Sequence, residues 1–285
     1  MNNDYKIAGV ITLYNPDDAV IYRINAILPF IEKLFVVDNS KFENENIINS
    51  FKDNQKVEYI FNNDNIGIAA SMNIAIKKSI ELNFDYLLTM DQDSEFENDS
   101  LIILISNLVR DKNIALYSPY HKNKFFTNPP ANKQIEEVFD VMTSGNLLNL
   151  KVLKEVGFFR EDYFIDYVDI EFCMRLRKNG YKIVRINNSI LNHNEANLMK
   201  RKLLGKTVYP PNHKPFRWYF KIRNFFYIKE EYQKLFPEYF RKEKKNILNN
   251  ILKAILFEPS KILKLKYIIK GFIDYKKNIK GKLTW

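Results

Sequence analysis

The stretch FDYLLTMDQDSEFEND (residues 84–99) joins a short apolar run to a pair of acids, Asp91 and Asp93. The run over 85–91 predicts a buried β-strand. Two carboxylates at the end of such a strand need an explanation, because burying a carboxylate is costly unless it is paired or binds a metal. Carboxylate oxygens are the ligands that Mg²⁺ and Mn²⁺ prefer, so Asp91-Gln92-Asp93 indicates a divalent cation site.

The sequence around this stretch alternates strand and helix patterns. Strands are predicted over 6–14, 33–39, 57–61, 85–91 and 114–119. Helices are predicted to begin at Pro16, Ile66 and Asp99, the last running to residue 111. This order predicts the α/β class, with a Rossmann-like, mostly parallel sheet flanked by helices.

Polar residues follow four consecutive predicted strands. In parallel sheets the ligand site lies beyond the carboxyl ends of the strands, so these residues are expected at one edge: Thr12, Tyr14, Asn15, Asp38, Asn39, Asn65, Asp91 and Asp93. Each alone is explained equally well as a turn or cap residue. Asp38 is suited to accept from the N3–H of uracil or thymine. The amides that follow Asn65 suit phosphate, with ordinary N-capping as the alternative.

The composition of the chain indicates its cellular location. The chain has 285 residues and one cysteine, Cys173, so no intrachain disulfide forms, which fits a reducing compartment. Its N-terminus lacks the pattern of a signal peptide, and no uncharged apolar run approaches the roughly 20 residues of a membrane span. These features predict a cytoplasmic location.

Charge divides the chain in two. Residues 200–285 hold 23 Lys+Arg and 6 Asp+Glu, a net charge of +17, whereas residues 1–199 hold 21 and 28, a net charge of −7. We expect a domain over 1–208 and a basic, aromatic helical extension over 209–285, which Pro237 and Pro259 divide into three segments. The extension suits an anionic membrane surface, or packing on the first domain or a second subunit. Single-stranded nucleic acid is a weaker alternative, because the strand-end acids would repel phosphate.

A second acidic segment, FIDYVDIE (164–171), is predicted to precede a helix that ends at Asn179-Gly180. Asp166 or Asp169 could serve as a general base; the alternative is helix capping with a salt bridge to Arg175 or Arg177. His193 is a candidate metal ligand or structural histidine. Residues 121–134 are predicted to form a functional loop.

Several motifs in this order resemble a family 2 glycosyltransferase of the GT-A fold, in its bacterial rhamnosyltransferase branch. They are VITLYNP, VVDNS, NDNIGIAASMNIAI, YLLTMDQDS, TSGNLLNLKVLKEVGFFREDYFIDYVDIEFCMRLRKNGY and LNHNEA, within about residues 6–200. RWYFKIRNFFYI resembles the tail of that branch.

The resemblance implies inverting, metal-dependent transfer of a sugar from a nucleotide diphosphate to a hydroxyl of a glycan acceptor. The acceptor would be lipid-linked, in bacterial surface polysaccharide synthesis at the inner face of the cell membrane. The donor expected first is dTDP-rhamnose, followed by UDP-galactofuranose, UDP-glucose and UDP-galactose. A nucleotide-sugar-binding protein without transferase activity is the alternative, and a homodimer is compatible with either.

The resemblance also assigns residues. Those expected to hold the nucleotide are Thr12, Tyr14, Asn15, Asp38, Asn39, Asn65, Gly67, Asn73, Asp91 and Gln92. The metal ligands are Asp93, which is preferred as the direct ligand, Asp91 and His193, with Mg²⁺ or Mn²⁺ as the cofactor. Ser144, Gly145, Asn146 and Arg175 are assigned to the sugar substrates. Asp169 aligns with the Asp of a Glu-Asp pair that carries the base, but Val168 replaces the Glu, so Asp166 remains an alternative base.

Overall fold

The computed structural model describes residues 5–109, 111–122, 129, 133–193, 200–203 and 206–283. The chain packs as two compact units. The first comprises residues 1–161 and 168–194, and the second comprises 162–167 and 195–285. The second unit therefore begins before residue 209 and takes in a short segment from the middle of the chain.

The described part of the first unit contains nine strands and six α-helices. The strands are β1 (Ile7–Leu13), β2 (Lys33–Asp38), β3 (Val57–Phe61), β4 (Tyr86–Asp91), β5 (Ser94–Phe96), β6 (Ile114–Lys122), β7 (Ile135–Glu137), β8 (Leu147–Asn149) and β9 (Lys182–His193). The helices are α1 (Ala19–Ile27), α2 (Glu45–Phe51), α3 (Ile68–Glu81), α4 (Ser100–Ser106), α5 (Leu150–Val156) and α6 (Val168–Lys178).

One mixed sheet organises this unit. Its strand order is β3-β2-β1-β4-β8-β6-β9-β5, with β7 paired to β9. The first four strands are parallel, as predicted, whereas β8 runs antiparallel to both β4 and β6. The predicted α/β class is thus confirmed, and the carboxyl ends of four parallel strands meet at one edge.

The core explains why these apolar runs form strands. Val10, Leu34 and Leu88 lie on β1, β2 and β4, and all three have no exposed surface. Strands covered on both faces read as continuous apolar runs, as these do. The register places Thr12 opposite Val37 on one side and Asp91 on the other, so the ends of β1, β2 and β4 lie level.

Some elements differ from the sequence prediction. Helix α4 ends at Ser106, five residues before the predicted end, and β6 continues to Lys122. The predicted loop over 121–134 therefore begins inside a strand, and most of its remainder lies outside the described residues. Asp169 and Glu171 were expected to precede a helix but lie within the first turn of α6.

The second unit contains a short hairpin and three helices in its described part. These elements are β10 (Arg201–Leu203), β11 (Lys206–Val208), α7 (Pro215–Tyr232), α8 (Pro237–Phe257) and α9 (Lys261–Lys276). The three predicted helical segments are confirmed, and α8 begins on Pro237, where a missing N–H is tolerated. Among the described residues, no helix is both long enough and apolar enough to cross a membrane.

The core of the second unit is aromatic. Trp218, Tyr219 and Phe220 on α7 are each no more than 1% exposed. Helix α9 approaches the α7 backbone so closely that a Cβ on Gly271 would lie 2.5 Å from the carbonyl oxygen of Tyr219. The aromatic residues of this basic segment are therefore largely packing groups.

Candidate functional site

The structure brings together the three residues predicted as metal ligands. Asp91 is the last residue of β4, Asp93 follows two residues later, and His193 is the last residue of β9. Strand β5 pairs with β9 so that Ser94 stands opposite His193. As a result, one ligand atom from each of Asp91, Asp93 and His193 lies within 4.8 Å of the other two.

Neighbouring side chains fix the orientation of His193. Its Nδ1 is hydrogen-bonded to Ser94 Oγ at 2.7 Å, which leaves Nε2 as the nitrogen that can face a metal. The ring of His121 lies 6.4 Å from that of His193, edge to face, and His121 Nε2 donates to the carbonyl oxygen of Ser144 at 2.7 Å. Burial lowers the pKa of His121 to about 4, so this ring is neutral at physiological pH.

Gln92 joins the loops that follow β1 and β4. Its Oε1 accepts from the backbone N–H of Tyr14 at 2.7 Å, and its carbonyl oxygen accepts from Arg23 Nη1 at 2.7 Å. On the other side, Ser144 Oγ accepts from the N–H of Asp91 at 3.0 Å. These bonds hold the Asp91–Asp93 turn in place and engage the Gln92 amide that was expected to contact a nucleotide.

The donor set of this cluster fits a divalent metal. Two carboxylates are suited to Mg²⁺ or Mn²⁺, and imidazole is a common ligand of divalent transition metals. A ligating histidine usually has its other ring nitrogen hydrogen-bonded to a neighbour, and Ser94 provides that contact here. The residues present can therefore hold the cofactor expected from the sequence.

The ends of β1 and β2 border a cavity of about 380 Å³. It is lined by Asn15, Pro16, Ser40, Phe42, Glu43, Asn44, Glu45 and Asn46. Asp38 itself is fully buried; its Oδ1 accepts from the N–H of Ser40 at 2.8 Å and its Oδ2 accepts from Tyr59 O–H at 2.5 Å. Asp38 therefore shapes the wall behind the cavity.

The other residues expected to hold the nucleotide differ in their partners and exposure. Asn39 is buried, donates to Ser71 Oγ at 2.7 Å and accepts from Asn62 at 2.9 Å. Thr12 Oγ1 is buried and has no hydrogen-bond partner among the described residues. Tyr14 differs from both, because half of its side chain is exposed.

The start of α3 is set by a turn. Asn65 Oδ1 accepts from the N–H of Gly67 at 3.0 Å, and Gly67 has a φ of +87°. Asn73, farther along α3, donates to the carbonyl oxygen of Phe159 and to Glu161 Oε1, both at 2.8 Å, and accepts from the N–H of Phe159 at 3.0 Å. Asn73 thus ties α3 to the segment that precedes α6.

The turn at Ser144-Gly145-Asn146 lies beside the metal cluster. Gly145 has a φ of +79°, and a Cβ there would lie 2.8 Å from Leu191 and 2.9 Å from Pro119, so this turn requires glycine. Asn146 donates to the carbonyl oxygen of Met142 at 2.7 Å, whereas its Oδ1 is buried with no partner among the described residues.

Arg175, which was predicted to contact substrate, is hydrogen-bonded within the chain. Its Nε and Nη2 donate to Glu171, and its Nη groups also donate to three carbonyl oxygens at 2.7–2.9 Å. Those carbonyls belong to Val156, Gly157 and Phe158. Because all three guanidinium nitrogens are engaged, Arg175 holds the α5–α6 connection together.

The two candidate bases differ sharply. Asp169 lies in the first turn of α6 in the first unit, partly exposed, and its Oδ1 accepts from the N–H of Ile170 at 2.9 Å. Asp166 belongs to the second unit, where its side chain is 4% exposed and lies 2.5 Å from Arg217 and 3.0 Å from Lys221. Burial alone would raise the pKa of Asp166, but Lys221 and Arg217 outweigh it and hold that pKa at about 2.

Sequence reasoning missed four residues of this region: Ser94, His121, Ser40 and Tyr59. Ser94 follows the acidic pair directly, which is a local signal. The contact between Ser94 and His193 spans 99 positions of the chain and arises from the pairing of β5 with β9. Such non-local pairing carries no local sequence signal, so these roles could be found only from the fold.

Both the sequence and the fold are similar to those of known glycosyltransferases. A sequence model described as "Glycosyl transferase family 2" matches residues 10–179. The chain is similar to the dTDP-rhamnosyl transferase RfbF of Shigella flexneri, with 28% identity over 244 residues, 78% of this chain and 79% of that protein.

Two solved structures have the same fold. One is GalNAc-T7 with UDP, GalNAc and Mn²⁺, with a TM-score of 0.63 and 13% identity, covering 98% of this chain. This chain spans only 57% of that longer protein. The other is the mannosyltransferase PcManGT from Pyrobaculum calidifontis with GDP-Man and Mn²⁺, with a TM-score of 0.55 and 10% identity, covering 97% of this chain and 89% of that one. At such identities the likeness shows the GT-A fold alone.

Proposed function

This chain belongs to glycosyl transferase family 2, and we propose that it moves rhamnose from dTDP-rhamnose to a hydroxyl of a glycan acceptor, with Mn²⁺ as cofactor. The observation that carries the proposal is the Asp91–Asp93–His193 cluster at the carboxyl ends of the sheet. The choice of rhamnose is supported by the similarity to a dTDP-rhamnosyl transferase, and the UDP-sugars are the alternatives.

Asp93, Asp91 and His193 would hold the metal, with Asp93 as the most exposed of the three ligands. When bound, such a metal stabilises the negative charge that develops on the departing diphosphate. The chain's own contribution is to hold its ligands still, through Gln92, Ser144 and Ser94.

We place the nucleoside in the cavity at the ends of β1 and β2. Phe42, which is 75% exposed, offers a ring on which a base can stack. Ser40 and Asn15 offer polar groups at the same wall, and the buried Asp38 keeps the Ser40 backbone in position. The nucleotide contacts therefore come from the loops, while Asp38 and Asn39 support them.

We assign the general base to Asp169. A base must be unprotonated and strong enough at the working pH to remove a proton from the acceptor hydroxyl, which then attacks the anomeric carbon from the face opposite the diphosphate. With a pKa of about 2 and two cations beside it, Asp166 is a very weak base. Asp169 is partly exposed in the first turn of α6 and belongs to the same unit as the metal cluster.

The acceptor we propose is a lipid-linked glycan, in the synthesis of a bacterial surface polysaccharide. The turn at Ser144-Gly145-Asn146 would bound the space for the sugars, since it touches the metal cluster through Ser144. The preponderance of positive charge in residues 200–285 is compatible with enzyme action at an anionic lipid surface.

The test is a thermal-shift panel of nucleotide sugars, measured with and without Mn²⁺. A donor present at one hundred times its dissociation constant should stabilise the protein by about 2.7 kcal/mol. We expect a Mn²⁺-dependent shift with dTDP-rhamnose in the wild type and none in Asp93→Asn. Asp99→Asn, an acid six residues farther along, is the matched control and should behave as the wild type.

Each outcome of the thermal-shift panel supports or contradicts a different part of the proposed function. A Mn²⁺-dependent shift with a UDP-sugar instead would replace rhamnose and keep the site. An equal shift in Asp93→Asn would remove the metal cluster from donor binding, and no shift with any nucleotide sugar would overturn the proposed function.

A further inference from the structure

Helix α9 exposes an apolar stripe along its whole length. Ile262 is 74% exposed, Leu265 38%, Ile269 58% and Ile273 43%. These residues are spaced by three or four positions, so they lie on one face of the helix. Four aliphatic side chains exposed in a row need a partner to cover them.

Buried residues on the opposite face of α9 show which side of the helix points outward. Gly271 rests on the α7 backbone, and the buried Asp274 accepts from Tyr219 O–H at 2.8 Å and pairs with Lys270 at 2.9 Å. Lys264 is also buried and pairs with Glu258 at 2.6 Å. Since Lys264, Gly271 and Asp274 face the interior of the second unit, the aliphatic stripe faces away from it.

The exposed surface of α9 is basic. Asp274 is the only acid between residues 261 and 276, and it is 4% exposed. Lys261, Lys266 and Lys276 are exposed on the same helix, and Lys277 follows it. An aliphatic stripe bordered by lysines and free of exposed carboxylates is the pattern of a helix that lies in a membrane interface.

We propose that the outer face of α9 docks on an anionic lipid surface, with Ile262, Leu265, Ile269 and Ile273 entering the headgroup region and the lysines contacting lipid phosphates. Charge decides against a second copy as the partner, because residues 200–285 carry +17 and two such faces repel. Composition decides against nucleic acid, which binds exposed aromatic rings, whereas Trp218, Tyr219 and Phe220 of α7 are buried and the stripe is aliphatic.

The proposal is tested by sedimenting the full chain with vesicles of phosphatidylcholine that contain phosphatidylglycerol, and with vesicles of phosphatidylcholine alone. We expect binding to the anionic vesicles only. Replacing Ile262 and Ile269 by glutamine should weaken that binding about tenfold for each side chain removed from the interface. Replacing Lys266 and Lys277 by glutamine should weaken it about fivefold for each charge.

Leu82→Gln is the matched control, because Leu82 is 53% exposed but lies in the first unit. It should bind vesicles as the wild type does, and an unchanged melting temperature in every variant shows that the fold is kept. Unchanged vesicle binding in the double isoleucine variant overturns the proposal. So does a concentration-dependent dimer that this variant abolishes, because that result assigns the stripe to a second copy. None of these measurements depends on which sugar is transferred.

Discussion

Two sets of carboxylates, one in each unit of this protein, are used in opposite ways. In the first unit Asp91 and Asp93 cluster with His193 at the open end of a sheet, where a cation can join them. In the second unit Asp166, Glu258 and Asp274 have side chains no more than 5% exposed, and each is paired with lysine or arginine. Exposure and partners, rather than residue type, therefore separate an acid that binds a ligand from one that holds the fold together.

The largest expected effect is on transfer activity, and it tests whether Asp169 or Asp166 is the base. Asp169→Asn should lower transfer about a hundredfold to ten-thousandfold, which is the usual contribution of general acid–base catalysis. Donor binding by thermal shift should be retained, because the change removes only a proton acceptor. Initial rates of nucleotide diphosphate release measure the effect.

Asp166→Asn is the matched control for that experiment, since it removes an acid from the same stretch of sequence. Its transfer rate per folded molecule should stay near that of the wild type. If the two variants exchange these results, the base is Asp166 and the pairing with Arg217 and Lys221 is part of catalysis.

The second effect concerns folding. In Asp166→Asn the cations Arg217 and Lys221 lose the buried carboxylate between them, and such losses cost about 3–5 kcal/mol, with the lower value expected because both cations are partly exposed. Urea denaturation at neutral pH, followed by circular dichroism, measures the change in free energy of unfolding.

The same pair gives a pH dependence with a definite sign. The pKa of Asp166 is about 2 in the folded protein, below its unfolded value of about 3.9. The pair therefore stabilises fully above about pH 4, and about 2–3 kcal/mol of that stability is lost as the pH falls toward 2. The gap between wild type and Asp166→Asn should narrow below pH 4, and a constant gap would show that the carboxylate charge is not its source.

These contrasts show where sequence reasoning succeeds and where it stops. The parallel strands β1–β4 were predicted because their runs are short, mainly apolar and rich in β-branched and aromatic residues, and their polar ends follow from the α/β topology. Asp166 and Asp169 could not be distinguished, because the partners of Asp166 lie 51 and 55 positions away at Arg217 and Lys221. The burial of Asp38 and the backbone partners of Arg175 could not be predicted for a similar reason, since both are properties of the folded chain.

The third effect is on the metal site. Ser94→Ala removes the hydrogen bond at His193 Nδ1 and frees the imidazole to rotate, while Asp91 and Asp93 are untouched. Loss of such a supporting contact typically weakens metal binding about tenfold to a hundredfold. Calorimetric titration with Mn²⁺ measures the affinity directly, without relying on turnover. Ser50→Ala, at an exposed serine that donates to the carbonyl oxygen of Asn46 within α2, should change nothing. Equal Mn²⁺ affinity in Ser94→Ala and wild type would mean that His193 is held, or replaced as a ligand, by something other than Ser94.

The smallest expected effect on stability concerns an exposed ion pair in the second unit. Arg241 and Glu238 form an ion pair at 3.0 Å, but their side chains are 74% and 67% exposed. Pairs of this kind contribute about 0.2–1 kcal/mol, because water screens the charges and both long side chains lose freedom. Arg241→Ala should therefore lower the free energy of unfolding by less than about 1 kcal/mol, and high salt should shrink even that difference.

The contrast with Asp166→Asn isolates burial as the variable, since both changes break an Asp/Glu contact with arginine in the same unit. If Arg241→Ala lowers the free energy of unfolding as much as Asp166→Asn does, the stability of α8 depends on its exposed charges. That result would contradict the conclusion that burial separates a stabilising ion pair from a weak one.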